Sequence, residues 1–128
     1  MIRKAHKDEY GEVMRVLESA LLEVDPDEVR EALGSGGVLV AVPNGHCRGV
    51  LLLDGRRIKA IAVTRTHRTK GIGSRLINQA VKRGSLTAEF RPEVRPFYES
   101  LDFEIECDGE RCRGRLDTQE SDTVGQRL

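Results

Sequence analysis

Two stretches of the chain repeat apolar residues every three or four positions, one beginning at Tyr10 and the other after a glycine-containing loop. This spacing places apolar side chains along one face of a helix. The apolar positions are Val13, Met14, Leu17, Leu21 and Val24 in the first stretch, and Ile72, Leu76, Ile77, Ala80 and Val81 in the second. We therefore predict an amphipathic helix in each stretch.

Two shorter helices are predicted from residues suited to helix ends. Asp25 suits the N-cap, Pro26 the first helical position, and Gly34 the end of the first of these helices. The second lies in RPFYESLDF and ends near Asp102, because aspartate tolerates the left-handed conformation better than most residues. Pro96 lies where a longer helix would need a backbone N–H, so we expect this helix to begin late or to kink.

Apolar runs bounded by turn residues predict seven strands, in MIRKA, GVLVAV, RGVLLL, RIKAIAV, SLTAEF, DFEIEC and RCRGRL. The short PNGHC and DGR connections join the second, third and fourth strands into an antiparallel meander. The second amphipathic helix separates the fourth and fifth strands, which makes these two parallel. The last two strands form a hairpin. One domain is expected over residues 1–116, followed by a flexible polar tail over 117–128.

The composition excludes several kinds of partner. The chain has 128 residues, of which 38% are hydrophobic, and this suffices for one compact core. It carries 21 Lys and Arg against 21 Asp and Glu, and only 4% aromatic residues, so neither a membrane nor nucleic acid is an expected partner. No apolar run approaches the ~20 residues of a membrane span, and we expect a cytoplasmic protein.

The cysteines and histidines do not predict a metal site, because they are scattered and lack CxxC spacing. Cys107 and Cys112 flank DGER. A four-residue loop would place these two directly opposite each other, whereas a two-residue DG turn would place them diagonally on one face. In a reducing cytosol we expect free thiols.

The stretch AVTRTHRTKGIGSRLINQAVKRG passes from a predicted strand through a cationic loop into a helix. A helix start exposes unpaired N–H groups and the positive end of the macrodipole, and both favour an anion. Gly71 and Gly73 lack side chains that would keep a diphosphate away from the backbone. Arg65, Arg68 and Lys70 add positive charge. These features favour a phosphate site, and the alternative is a tight turn with a solvated rim.

Two motifs connect this loop with a known family. RTKGIG, which begins at Arg68, matches neither a P-loop nor the dinucleotide fingerprint, whose third glycine position is Leu76 here. It fits R-x-x-G-x-G and resembles the acetyl-CoA pyrophosphate loop of the GNAT superfamily of N-acetyltransferases. FYESLDF, which begins at Phe97, is similar to the lYeklGF motif near the GNAT C-terminus and follows the expected intervening strand. The resemblance spans residues 1–116.

The resemblance implies a fold, a cosubstrate and a reaction. The fold is a mixed, mostly antiparallel α/β sheet of six to seven strands with a split parallel pair at its centre, flanked by about four helices. The reaction is acetylation of a primary amine, either a peptide N-terminus or a small molecule, by direct attack on acetyl-CoA. The backbone amide of Val63 would contact the thioester carbonyl. The residues implied to surround the pyrophosphate are Arg65, Arg68, Thr69, Lys70, Gly71, Ile72, Gly73 and Ser74.

Two side chains are candidates for proton transfer. Tyr98 matches the family tyrosine that protonates the leaving thiolate, and its alternative is a half-buried aromatic with a satisfied hydroxyl. SLTAEFR resembles the LTLEVR strand of bacterial ribosomal-protein alanine N-acetyltransferases, which implies that Glu89 is a base acting through water. Strand alternation places Glu89 on the face opposite Ala88 and Phe90. The alternative for Glu89 is a solvated charge or a partner of Arg91.

The implied acceptor wall, formed by the turn between the first helices and by the last hairpin, is acidic. Its acidic residues are Glu23, Asp25, Asp27, Glu106, Asp108 and Glu110. Acidity suits a cationic amine, although turns are commonly polar for solvation alone. RPEVRP lacks the family's N-x-x-A pattern, and Asp102 replaces the glycine of its GF pair. A non-catalytic acyl-CoA-binding regulatory module is therefore the alternative function, and both a monomer and a homodimer are compatible with the sequence.

Overall fold

The computed structural model describes residues 1–20 and 22–118, apart from the side chains of Thr69 and Lys70. Within this part of the chain, the strands are β1 (Ile2–Lys4), β2 (Val38–Ala41), β3 (Gly49–Asp54), β4 (Arg57–Val63), β5 (Leu86–Phe90), β6 (Glu104–Asp108) and β7 (Arg111–Leu116). The α-helices are α1 (Tyr10–Ser19), α2 (Pro26–Ser35), α3 (Ile72–Val81) and α4 (Arg95–Glu99), and shorter 3-10 helices cover Lys7–Glu9, Arg65–Lys70 and Pro92–Val94. The strands and α-helices follow one another in the predicted order.

One sheet holds the seven strands in the order β1-β2-β3-β4-β5-β7-β6. Neighbouring strands are antiparallel except β4 and β5, which are parallel. The final hairpin joins the sheet through β7, so β6 lies at one edge and β1 at the other. The mixed, mostly antiparallel sheet with one parallel pair at its centre is thereby confirmed.

Helices cover the two faces of the sheet unequally. α3 and α4 pack on one face, where Leu76 and Ile77 are fully buried, and α1 and α2 pack on the other, over β3 and β4, where Leu17 and Val29 are fully buried. Beyond β4, alternate residues of β5 and β7 are exposed on the side opposite α3 and α4. We call this uncovered side of β5, β7 and β6 the open face. Its side chains are Thr87, Glu89, Arg111, Arg113, Arg115, Glu104, Glu106 and Asp108.

A bulge in β4 separates it from β5. The parallel ladder between the two strands ends at Ile58 opposite Ala88. The ladder between β4 and β3 then passes directly from Ile58 to Ala60, so Lys59 is an extra residue in β4. A bulge bends its strand and increases the local twist. The part of β4 that follows Ile58, up to Val63, is therefore unpaired on the β5 side. We call this part the outer half of β4, and the opening between it and β5 the split.

The ends of α1 and α2 differ from the predictions, whereas the start of α4 agrees with them. α1 ends at Ser19, so Val24 lies beyond it, and Leu21 lies outside the described residues. The predicted end of α2 at Gly34 is wrong, because the left-handed residue with a φ of 82° is Gly36. α4 begins only at Arg95, after a separate 3-10 helix, which agrees with the late start expected from its proline.

Two helix-end predictions are confirmed by backbone and side-chain geometry. The carboxylate of Asp25 accepts the N–H of Asp27 at 2.9 Å and so caps α2. Asp102 has a φ of 69° and is the one non-glycine residue with a positive φ in the described part of the chain, so it has the predicted left-handed conformation, although α4 itself ends at Glu99.

None of the described helices is long and apolar enough to cross a membrane.

The expectation of free thiols in the last hairpin is wrong, because Cys107 and Cys112 form a disulfide. Asp108 pairs with Arg111 across a two-residue turn, and this register sets the two cysteines directly opposite each other. Cys47 is the free cysteine, and it is buried. The predicted tail lies outside the described residues from position 119 onward.

Candidate active site

Two backbone N–H groups of β4 face the split. Thr64 donates its N–H to the carbonyl of Arg48, next to β3, at 2.8 Å. Because N–H groups alternate between the two edges of a strand, Val63 directs its N–H toward β5, and so does Ile61 two residues earlier. The ladder to β5 has already ended there. Two adjacent donors without a strand partner can stabilise a carbonyl oxygen and the negative charge that develops on it.

The cationic loop folds back on the end of β4. It forms a 3-10 helix over Arg65–Lys70. The hydroxyl of Thr64, which is buried, lies 3.2 Å from Nδ1 of His67. Arg68 donates from Nε to the carbonyl of Val63 at 3.0 Å. This bond holds an exposed guanidinium beside the split without a carboxylate partner among the described residues.

The loop leads directly into the N-terminus of α3. The first helical hydrogen bond runs from the N–H of Arg75 to the carbonyl of Gly71, at 3.1 Å. None of the described side chains caps this end, so the N–H groups of Ile72, Gly73 and Ser74 have no helical partner. Gly71 has a φ of 77°, and a Cβ there would meet nothing within 4 Å. The left-handed turn leaves open space in front of the helix start, where an anion would be stabilised.

Gly73 lies where three elements meet. A Cβ at this position would lie 3.4 Å from the ring of Phe97 and 3.7 Å from Cδ1 of Ile61, both ordinary van der Waals distances. Gly73 therefore lies beside α4 and beside the outer half of β4, which borders the split. The residues predicted to surround a pyrophosphate form one continuous segment here, from Arg65 to Ser74.

Arg56, in the turn between β3 and β4, holds the opposite end of α3. Its guanidinium donates to the carbonyls of Ala80 and Gly84, both at 2.7 Å, and to that of Ser85 at 3.1 Å. A cation that binds the last carbonyls of a helix also interacts favourably with the helix dipole. The helix is thus fixed at its C-terminus while its N-terminus borders the split.

Tyr98 in α4 is enclosed by aromatic rings. Its ring stacks on that of Phe90 with centroids 4.3 Å apart, and it meets Phe97 and Phe103 edge-on at 5.1 and 5.0 Å. Its hydroxyl makes no hydrogen bond to another residue within the described part of the chain. Burial disfavours the phenolate and raises the pKa of Tyr98 to about 12. The hydroxyl therefore stays protonated at neutral pH and available as a donor.

Glu89 lies on the other side of the sheet. It directly follows Ala88, the last residue of β5 that pairs with β4, so it stands where the two strands part. Its carboxylate is on the open face with an exposed fraction of 44%, and its ion-pair partner is Arg113 rather than Arg91. The predicted alternation is confirmed, since Ala88 and Phe90 are buried on the opposite face. Tyr98 and Glu89 therefore flank the sheet from opposite sides.

The acidic residues expected to form the acceptor wall have different surroundings. Asp25 caps α2, and Asp27 lies 3.5 Å from Arg30, so both have local structural partners. Glu106 and Asp108 instead lie on the open face with Glu89. The strand residues of the expected wall therefore share a face with Glu89, whereas Asp25 and Asp27 interact within α2.

The sequence from residue 13 to residue 105 matches the model of the acetyltransferase (GNAT) domain. The chain belongs to the GNAT acetyltransferase family. The matched part includes the split, the loop before α3, and α4. No curated protein matches the sequence.

Solved GNAT structures share the fold at low sequence identity. An acetyltransferase of the GNAT family from Bacillus cereus ATCC 10987 is 12% identical, with a TM-score of 0.79 over 92% of this chain and 96% of that one. The ribosomal-protein-S18-alanine N-acetyltransferase from Escherichia coli is 16% identical, with a TM-score of 0.75 over 92% and 93%. Arabidopsis thaliana Naa50, in complex with the bisubstrate analogue CoA-Ac-MVNAL, is 14% identical, with a TM-score of 0.75 over 91% and 97%. At these identities the likeness shows the fold alone.

One residue at the split of this GNAT protein was not among the predicted donors. Ile61 presents its N–H in the same direction as Val63, because the two are separated by one residue of the same strand. Residues two positions apart in a strand direct their N–H groups to the same edge, so Ile61 could have been inferred from the sequence once Val63 had been identified. The edge of β4 to which these two N–H groups are directed could not be predicted from the sequence pattern, because the bulge at Lys59 reverses the alternation.

Proposed function

We propose that this GNAT protein transfers the acetyl group of acetyl-CoA to a primary amine, by direct attack of the amine on the bound thioester. The observation that carries the proposal is the split, with the open N–H groups of Ile61 and Val63 on one edge and the uncapped start of α3 at its end. A thioester needs donors for its oxygen, and a diphosphate needs an anion site some distance away. The N–H groups of β4 and the start of α3 supply these two sites, and the short loop after β4 connects them.

The proposed pyrophosphate site consists of backbone and cationic groups. The N–H groups of Ile72, Gly73 and Ser74 would bind phosphate oxygens, and the bare backbone of Gly71 would allow the close approach. The cationic and polar residues proposed beside it are Arg65, Arg68, Thr69 and Lys70. Arg68 supports the proposal because its bond to the carbonyl of Val63 already holds it between the diphosphate position and the split.

The proposed reaction forms one bond and breaks one. The amine nitrogen attacks the carbonyl carbon, and the oxygen takes up negative charge that the N–H groups of Ile61 and Val63 stabilise. The carbon–sulfur bond then breaks, and the thiolate receives the hydroxyl proton of Tyr98. The proton lost by the amine passes through water to the carboxylate of Glu89. An amide and a free thiol result, and return of one proton from Glu89 to the Tyr98 phenolate through water restores both groups.

The positions of Tyr98 and Glu89 on opposite sides of the sheet support this assignment, because they keep the group that protonates the leaving sulfur apart from the group that receives the amine proton. A phenol with a pKa of about 12 is a weak acid for an ordinary thiolate. A thiolate expelled among the same apolar rings is desolvated too, and desolvation raises the pKa of its thiol. The pKa values of the tyrosine hydroxyl and of the thiol therefore lie closer together among these rings than they would if only the tyrosine were buried.

A non-catalytic acyl-CoA-binding module is the second candidate. It is favoured by the short α4, which spans only Arg95–Glu99 and follows a separate 3-10 helix. Such a module would bind acetyl-CoA without turning it over.

Release of the coenzyme A thiol tests the proposed function. The purified protein is incubated with acetyl-CoA and primary amines, namely a peptide with a free N-terminus and small molecules, and free thiol is followed in time. A tertiary amine serves as the matched control because it has no N–H to lose. We expect release with a primary amine and none with the tertiary amine. Binding of acetyl-CoA without release on any amine would favour the module, and absence of binding would contradict both candidates.

A further inference from the structure

Arg113 occupies the centre of the open face, between two carboxylates. It is directly opposite Glu89 on β5 and directly opposite Glu106 on β6. Side chains opposite each other in antiparallel strands lie on the same face, with Cβ atoms about 5 Å apart. The three residues therefore form a row of alternating charge across the sheet, and Glu89 is its member at the mouth of the split.

The charges in this row are only loosely paired. Nε of Arg113 lies 4.0 Å from Oε2 of Glu89, and the two side chains are 80% and 44% exposed. This distance is too long for a hydrogen bond. Arg115 on the same strand, by contrast, binds Asp117 at 2.8 Å. Within the described part of the chain, Arg113 makes no hydrogen bond and Glu106 has no ion-pair partner.

The row borders a shallow cavity of about 830 Å³ on the open face. Glu89, Glu106, Asp108, Arg111 and Arg113 contribute the charged side chains of its lining. α3 and α4 cover the opposite side of the sheet, so a molecule in this cavity would approach the split from the side on which Glu89 lies. The cavity holds charges of both signs, and this limits the kind of acceptor that would bind well.

We propose that the acceptor is a free α-amino acid, with its ammonium group at Glu89 and its carboxylate at Arg113. This inference rests on the function proposed above. The two charges of an α-amino acid are separated by one carbon atom, so they can lie antiparallel to a carboxylate and a guanidinium that are 4.0 Å apart. The guanidinium can bind the carboxylate with two parallel N–H donors, while Glu89 accepts from the ammonium.

A simple amine or a peptide N-terminus fits this row less well. Its positive charge would be attracted by Glu89 but repelled by Arg113, and no group of the acceptor would pair with the guanidinium. A zwitterion pairs with both charges at once. Arg113 is thus a specificity-determining residue for the acceptor. Glu89 binds the ammonium, one proton of which is lost to solvent water before the nitrogen attacks, and a second proton passes through water to Glu89 as the amide forms.

A panel of α-amino acids, each matched with its C-terminal amide, tests this assignment. The amide removes only the carboxylate charge, and its amine is the weaker base, so a larger fraction is deprotonated at neutral pH. Without recognition of the carboxylate the amide would therefore react faster, so a preference for the free acid would have to come from binding of its carboxylate. We expect KM for the preferred amino acid to be at least about 10-fold below that of its amide, as expected for a hydrogen-bonded charge pair.

Two variants locate the preference. Arg113→Gln is expected to raise KM for the amino acid about 10-fold or more while KM for the amide changes less than about 2-fold. Arg115→Gln removes the same charge from the same face and strand, and we expect it to change neither KM by more than about 2-fold. Affinity for acetyl-CoA is expected to be unchanged in both variants.

Four results would overturn the inference. An amide or peptide acetylated as well as the free acid would show that the carboxylate is not recognised, and the proposed function would stand. An Arg113→Gln variant that loses activity on both members of a pair equally would assign Arg113 another role. If acetyl-CoA binds but no amino acid is acetylated, the inference fails. If acetyl-CoA does not bind either, the proposed function fails with it.

Discussion

The aromatic rings around Tyr98 bury its hydroxyl and so raise its pKa. Phe90, Phe97 and Phe103 remove water from the phenol and hold the ring in one orientation. The motif FYESLDF was sufficient to name the tyrosine. The complete set of rings around Tyr98 could not be derived from that motif alone, because Phe90 lies in β5 and stacks on Tyr98 only in the folded protein.

Substitution Tyr98→Phe should lower kcat by about 100-fold, the lower range for loss of a general acid. The ring remains, so the aromatic packing and the affinity for acetyl-CoA should be retained. Tyr10→Phe is the matched control, since Tyr10 packs under Arg30 on the other face of the sheet. Steady-state rates and calorimetric affinities of both variants make the comparison. A Tyr98→Phe enzyme with wild-type kcat would remove Tyr98 as the acid.

Glu9 predicts a pH dependence of stability. It accepts both ends of the Arg3 guanidinium and the N–H of His6, all at 2.8 Å. The Arg3 bonds, with the His6 bond, lower the pKa of Glu9 from 4.5 to about 2. A depressed carboxyl pKa stabilises the fold above the unfolded pKa, and this stabilisation is lost as the pH falls through the folded value.

We therefore expect the free energy of unfolding to fall between about pH 4.5 and pH 2, and to fall less steeply in Glu9→Gln than in the wild type. Urea unfolding at a series of pH values measures the slope. Glu12→Gln is the control, because the Glu12–Arg15 pair is about half exposed on both sides. Identical slopes for the wild type and Glu9→Gln would contradict the assignment.

Among the strands, β4 and the β6–β7 hairpin depart most from what the sequence indicated. The alternation of RIKAIAV predicts a strand, but the bulge at Lys59 depends on how β3 pairs with it. In the hairpin, the two-residue turn at Gly109 places Cys107 opposite Cys112, and the expected free thiols followed from an assumed compartment and not from the chain itself. Both differences concern pairing between strands, which local patterns do not specify.

Reduction of the Cys107–Cys112 disulfide should destabilise the protein by about 2 kcal/mol, the chain-entropy estimate for such a short loop. Cys107→Ser is the suitable variant because Cys107 is exposed, whereas Cys112 is buried against the core. Urea unfolding of the wild type with and without a phosphine reductant gives the difference, and Cys107→Ser should not respond to the reductant. If reduction leaves the wild-type midpoint unchanged, the bond does not contribute to stability.

For the molecule as a whole, local patterns were sufficient for most of the architecture. The periodicity ending at Val81, the caps such as Asp25 and the turns between strands predicted the element order and the parallel pair. The order of strands in the sheet, with β7 between β5 and β6, required the tertiary structure. So did the placement of Tyr98 and Glu89 on opposite sides, which depends on where α4 packs.

In the proposed function, the start of α3 and the split form one acetyl-CoA site. Gly71→Glu would place bulk and negative charge in front of the open N–H groups, at a residue with a φ of 77°. Gly55→Glu is the matched control, because Gly55 also has a positive φ, 63°, and open surroundings, but lies at the far end of β4. Both variants carry the same charge and a similar backbone strain.

Isothermal titration of acetyl-CoA into the wild type and these two variants is the most direct measurement. We expect the wild type and Gly55→Glu to bind with similar affinity, and Gly71→Glu to lose binding by about 100-fold or more, as expected when a like charge faces a diphosphate at a desolvated contact. Undiminished affinity in a folded Gly71→Glu protein would show that the diphosphate does not bind at the start of α3, and RTKGIG would then be a turn only.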